Sequence, residues 1–61
     1  MTISFKYKNW KNIISIRKVK LIKFWIGSTE FHKNKQVFMK ALDVNKQEER
    51  DFAVKDIIEI Y

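Results

Sequence analysis

The 61-residue chain has no cysteine, no proline, one glycine and one histidine. Without cysteine, neither a disulfide nor a thiolate metal site can reinforce so short a chain. His32 has no second histidine with which to share a zinc ion, so no metal and no other cofactor is expected. Low Gly and Pro, with 46% hydrophobic and 33% charged residues, exclude a disordered or low-complexity chain. No long apolar run exists. The longest, Leu21 to Ile26, is broken by Lys23 and is far too short to span a bilayer. The opening MTISFKYKNW lacks the apolar stretch of an export signal. The expectation is a cytoplasmic protein without a membrane contact.

What the chain does have is aromatic residues and positive charge. Phe5, Tyr7, Trp10, Phe24, Trp25, Phe31, Phe38, Phe52 and Tyr61 make up 15% of it. A single domain of this length, residues 1–61, buries a modest fraction of its surface, so these large side chains must supply the packing. Residues 1–35 carry nine Lys/Arg against one acid, Glu30, a net +8. Residues 36–61 carry four against six, a net −2. A basic half beside a mildly acidic one points to an anionic partner on one side. The plainer alternative is that lysines keep a small barrel soluble and blunt its edge strands.

Ile3, Phe5 and Tyr7 alternate with Ser4, Lys6 and Lys8, the period of a half-buried strand. Asn9 to Asn12 suits a turn. From Ile13 to Ile26 the segment is β-branched and aromatic, but its phase slips. Ile14 and Ile16 share one parity, Val19 and Leu21 the other, and Ile22, Phe24 and Ile26 return to the first. A bent, bulged strand accommodates such slips. Gly27-Ser28-Thr29 ends it, and Glu30 to Lys35 reads as a polar loop. Gln36 to Val44 predicts a third strand, with helix the competing reading because Met, Lys, Ala and Leu are good helix formers. A turn within 43–49, a strand over 50–54, a tight turn at Lys55-Asp56 and a last strand over 57–61 complete the order. Phe5, Val19, Ile22, Phe24, Phe38 and Phe52 are the expected core. The fold expected is all-β: a small five-stranded, strongly bent, partly open β-barrel of the Sm or Src-homology-3 kind.

Taken in order, Phe5-Lys6-Tyr7-Lys8-Asn9, Arg17-Lys18-Val19, Leu21-Ile22, Val37-Phe38-Met39-Lys40-Ala41, Arg50-Asp51-Phe52 and Asp56-Ile57 resemble the barrel core of WYL domains. The departures are specific. Val37-Phe38-Met39 stands where the family has Trp-Tyr-Leu, Leu21 where it has proline, and Asp56 where it has a late arginine. The helix-turn-helix that usually accompanies such a domain has no room within 61 residues. The resemblance implies a ligand-sensing or regulatory barrel of a bacterial or phage protein that binds nucleic acid or a nucleotide. It also implies that Arg17 and Arg50 occupy family positions, with Asp56 inverting a charge beside them.

Catalysis is not expected. Ser28, Glu30 and His32 offer the ingredients of a triad, but within one short loop that cannot align them. Glu48-Glu49 is a turn pair, and no Gly-rich phosphate loop is present. Binding is the better expectation. Lys6, Lys8, Lys18, Lys20 and Lys23 lie on two adjacent strands, where they would attract phosphates without reading sequence. Arg17 has no acid nearby in sequence and suits a phosphate fork, with pairing to Asp51 or Glu59 the alternative. Arg50, among Glu48, Glu49 and Asp51, suits an internal ion pair. Trp10, beside lysine in a polar turn, suits stacking on an unpaired base, and Phe31-His32 has the same standing. Trp25 suits either stacking or plugging one end of the barrel. The expected partner is single-stranded nucleic acid or a nucleotide, contacted by Lys6, Lys8, Trp10, Arg17, Lys18, Lys20, Lys23 and His32. The rival expectation is a protein-interaction module, or a homodimer, that docks through aromatic loops or an exposed strand edge.

Overall fold

The alternation of Ile3, Phe5 and Tyr7 becomes strand β1 (Thr2–Lys8) in a computed structural model that describes residues 1–61. It is followed by β2 (Ile14–Gly27), β3 (Gln36–Asp43), β4 (Glu48–Ala53) and β5 (Ile57–Ile60). One turn of 3-10 helix, Val54–Asp56, joins the last two strands. All neighbours are antiparallel and form one sheet in the order β4-β3-β2-β1-β5. The two edge strands β4 and β5 do not pair, so the barrel is partly open. No helix is long and apolar enough to cross a membrane.

The turns follow from their residues. Asn9 accepts from the backbone N–H of Lys11 and Ile13 at 2.9 and 3.0 Å, and Asn12 takes the left-handed conformation with φ 65°. Asparagine tolerates both roles better than most side chains. Between β3 and β4, Gln47 takes φ 55°, and Asp43 holds the turn by accepting from the N–H groups of Asn45 and Lys46.

The 14-residue β2 serves two neighbours. Ile14 to Lys20 pairs with β1, and Val19 to Gly27 pairs with β3. The register shifts between Leu21 and Lys23, so Ile22 is the extra residue of a bulge at the bend. Directly paired residues share a face. The register therefore puts Ser15, Arg17, Val19 and Leu21 on the inner face with Tyr7, Phe5, Ile3 and Ala41. Ile14 and Ile16 fall on the outer face, opposite Lys8 and Lys6, and are exposed.

The core is a group of aromatic edges. Phe5, Tyr7 and Phe52 pack mutually T-shaped at centroid distances of 5.0–6.0 Å, closed over by Val19, Met39 and Ala41. Edge-to-face packing places ring hydrogens on neighbouring π-faces. Phe38, also fully buried, belongs to the other face of β3. There Trp25 stacks on it at 4.8 Å, and His32 meets it edge-on at 5.9 Å. Because β3 buries Met39 and Ala41 on one face and Phe38 on the other, its sequence lacks clean alternation, which is why helix competes as a reading there.

Four of the six expected core residues, Phe5, Val19, Phe38 and Phe52, are buried. Ile22 and Phe24 are not: they remain 48% and 58% exposed. Phe24 has the inward parity, opposite Met39, but β1 stops pairing at Lys20, so no strand lies over it. Tyr7, Met39, Ala41 and Ala53 are buried instead. Phe52→Ala should cost roughly 3–5 kcal/mol, most of the stability of so small a domain. Phe24→Ala should cost far less. Chemical denaturation of the two variants checks the contrast, and equal losses would contradict the core described here.

Candidate functional site

Tyr7 and Phe52 also form the floor of the one cleft in the molecule, about 390 Å³ in volume. The β1–β2 turn contributes Trp10, β2 contributes Arg17, the β2–β3 loop contributes Phe31 and His32, and β4 contributes Arg50. This volume lies in the range of small-molecule sites. Residues 33 positions apart, Arg17 and Arg50, come together because both lie on the inward parity of strands flanking the aromatic floor.

Arg17 is held by Asp43, 3.5 Å from its Nη1, so the acid it lacks in the local sequence arrives from the end of β3. The expected alternatives, Asp51 and Glu59, are paired elsewhere: Asp51 with Trp25 and Lys40, Glu59 with Lys6. Asp43 itself is almost fully buried, its other oxygen engaged by the turn. The Arg17 guanidinium also lies 6.0 Å above the Phe52 ring, a cation–π distance. It makes no hydrogen bond, and its buried Nε has no partner. Arg50 pairs with Glu48, the internal contact expected of it, yet its Nε is also unpartnered. Both arginines retain donors that the protein does not use.

The rim is aromatic. Trp10 is exposed and stacks on Phe31 at 5.0 Å, with the Lys11 ammonium 5.2 Å from its ring centre. One indole face is therefore already covered by the protein. His32 is not a free side chain: its Nε2 is 3.1 Å from Asp56, and its ring rests on Phe38. Asp56 is thereby taken up by His32 and does not line the cleft. Thr29 accepts from the N–H groups of Phe31 and His32, which fixes the loop that carries both rings. Asn9, Thr29, Glu30, Glu49 and Asp51 complete the lining; of the acids, Glu49 and Asp51 have the outward parity of β4, opposite Leu42 and Lys40.

The lysines lie elsewhere. Lys8, Lys6, Lys18 and Lys20 are on the outer face, across from Ile14, Ile16, Ser4 and Thr2, and Lys23 follows beyond the bulge opposite Lys40. The single surface expected for all eight residues is thus two: a cleft with Trp10, Arg17 and His32, and an outer lysine face with Lys6, Lys8, Lys18, Lys20 and Lys23. Lys6 is drawn toward Glu59, 4.0 Å away. Trp25 does not plug the barrel end. It lies flat on Phe38, donates from Nε1 to Asp51 at 2.9 Å, and crosses Gly27, where an added Cβ would come within 2.6 Å of the indole. Sequence reading missed Tyr7, Phe52, Asn9, Thr29, Glu30, Glu49 and Asp51 as lining residues; the first two carry no signal beyond that of core residues.

A comparison with protein-family models, curated proteins and solved structures finds no match for the chain.

Tyr7 carries a titratable phenol that is almost fully buried. Burial pushes its phenol pKa above the usual 10.0, with the Asp56 charge adding to the effect; the N–H of Ala53 and the charge of Arg17 oppose it. A pKa raised on folding means that this stabilising contribution is complete below about pH 10 and is lost as pH rises through the folded value. Alkaline unfolding should therefore release the Tyr7 phenolate. In Tyr7→Phe, weaker at neutral pH because Ala53 loses its acceptor, stability should fall less steeply above pH 10. Urea midpoints for both proteins between pH 8 and 11.5 measure this, and parallel curves would rule out Tyr7 as the cause.

Proposed function

We propose that this chain is a non-catalytic binding module, a WYL-like sensing barrel, whose cleft takes a nucleotide-type anion. The observation that carries the reading is the convergence of Arg17 and Arg50, each with unused donors, on an aromatic floor beneath the Trp10–Phe31 stack. A guanidinium presents a planar fork to phosphate oxygens. Aromatic rings offer faces and edges to a base. The carboxylate of Glu30 accepts hydrogen bonds and so suits the N–H donors of a base rather than a second phosphate. A ligand that combines an anionic group with a flat, hydrogen-bonding ring matches all three features, whereas inorganic phosphate alone matches only one. The residue-by-residue likeness of Arg17 and Arg50 to WYL positions supports the same reading.

Titration of adenosine monophosphate, inorganic phosphate and a short single-stranded oligonucleotide, followed by amide shifts, tests the proposal. The nucleotide should shift residues around Trp10, Arg17, Phe31 and Arg50 and bind more tightly than phosphate. Arg50→Gln is the informative variant, because Arg17→Gln would also strip the buried Asp43 of its counter-ion. Loss of a charged hydrogen bond, worth about 1.5–3 kcal/mol, should weaken binding roughly ten- to a hundredfold. Lys18→Glu with Lys20→Glu should leave nucleotide affinity nearly unchanged at moderate salt. If the lysine pair abolishes binding and Arg50→Gln does not, the ligand lies on the outer face. If no amide shifts at millimolar nucleotide, the module binds something else.

A further inference from the structure

Beyond the bend, β2 and β3 continue as a two-stranded arm. β1 follows β2 only to Lys20, with one further bond from the Leu21 N–H to the Met1 carbonyl. From Ile22 to Gly27, β2 pairs with β3 alone, and its other edge carries unpaired backbone groups. On this arm Ile22, Phe24, Ile26 and Val37 are 48%, 58%, 66% and 42% exposed. Phe24 and Ile26 lie on one face, across from Met39 and Val37. An open strand edge beside exposed apolar side chains is a template for strand addition.

We propose that this edge pairs with the same edge of a second copy, in an antiparallel β2–β2 contact with its two-fold axis at Phe24. The sequence is self-complementary in that register. Phe24 meets the partner's Phe24, Ile22 meets the partner's Ile26, and Lys23 meets the partner's Trp25. Apolar residues thus face apolar residues across the pair. Lys23, the one charge between Leu21 and Gly27, meets an indole rather than its own copy. Moving the axis one residue toward the N-terminus would set Lys23 against the partner's Lys23, which is unfavourable. A two-fold axis on a residue also keeps inward parity matched with inward parity, as the pleat requires. The pairing adds a third strand to an arm that has only two, which is the number at which such ribbons gain independent stability. With about six residues a side, the contact is smaller than a standard interface of roughly 20–30 residues a side. Two bodies of net charge +6 also repel. Dimerisation is therefore concentration-dependent and strengthened by salt, the reverse of phosphate binding.

Sedimentation equilibrium over a wide concentration range, at low and high salt, tests the proposal. The wild type should pass from monomer to dimer, at lower concentration in high salt. Phe24→Lys should raise the dissociation constant at least about tenfold, since like charges then meet at the axis. Ile22→Glu and Ile26→Lys should each weaken self-association, and their mixture should recover it as a heterodimer, because the register sets the two positions against each other. Ile60→Lys, on the β5 edge, should have no such effect. These side chains are exposed, so circular dichroism should confirm an unchanged fold in each variant. A protein that stays monomeric at millimolar concentration in high salt overturns the proposal and leaves the edge to a different partner. A dimer indifferent to Phe24→Lys, or a mixture that fails to recover, overturns it equally.

Discussion

The barrel depends on one contact between strands that are not neighbours in the sheet. β1 and β4 lie three strands apart in the order, yet the Tyr7 hydroxyl accepts from the Ala53 N–H at 2.9 Å and the Tyr7 ring meets Phe52 at 5.0 Å. This contact curls an open sheet onto itself. It gives a buried backbone donor an acceptor where no sixth strand exists to supply one, and an unsatisfied donor there would be costly. The bulge in β2 makes the curl possible, and the 3-10 turn carries the chain from β4 to β5 across the remaining gap.

The same contact builds the site. Tyr7 and Phe52 are at once the centre of the core and the floor of the cleft, so binding and folding share their side chains. Asp43 provides a second link. One of its oxygens fixes the β3–β4 turn and the other holds Arg17, so the strand end that launches Arg50 on β4 also orients the opposing arginine. A guanidinium held by a buried carboxylate and by the face of Phe52 has lost much of its rotamer freedom before a ligand arrives, which lowers the entropic cost of binding. The His32–Asp56 pair does the same for the loop: it fastens residues 29–32 to the 3-10 turn after β4, while Phe31 stacks on Trp10.

The two proposed surfaces make different demands on the fold. The cleft uses the closed end of the barrel, where strands converge and side chains are held from several directions. The arm uses the open end, where β1 has stopped and β2 continues. The outer lysines lie on a face whose paired positions are mostly small or aliphatic.

Local pattern was enough to place the first two strands and the turn between them, whereas β3 also read as a possible helix and β4 begins two residues earlier than expected. The alternation in Ile3–Tyr7, the slip of phase near Leu21–Ile22 and the asparagines at 9 and 12 each reflect a constraint acting over a few residues, and each appears in the structure at that position. Phe5, Val19, Phe38 and Phe52 were legible as core for the same reason. What the sequence by itself could not determine was which apolar residues find a covering strand. Ile22 and Phe24 carry as strong a hydrophobic signal as Val19, but burial depends on where β1 ends, and that is a property of pairing. The site divides in the same way. Arg17, Trp10 and His32 could be picked out as chemistry-bearing residues, whereas their partners Asp43, Phe31 and Asp56 are 26, 21 and 24 residues away. Only the register of distant strands and the docking of their loops decide such pairings, and only the pleat decides that the lysines of β1 and β2 face away from the arginines beside them.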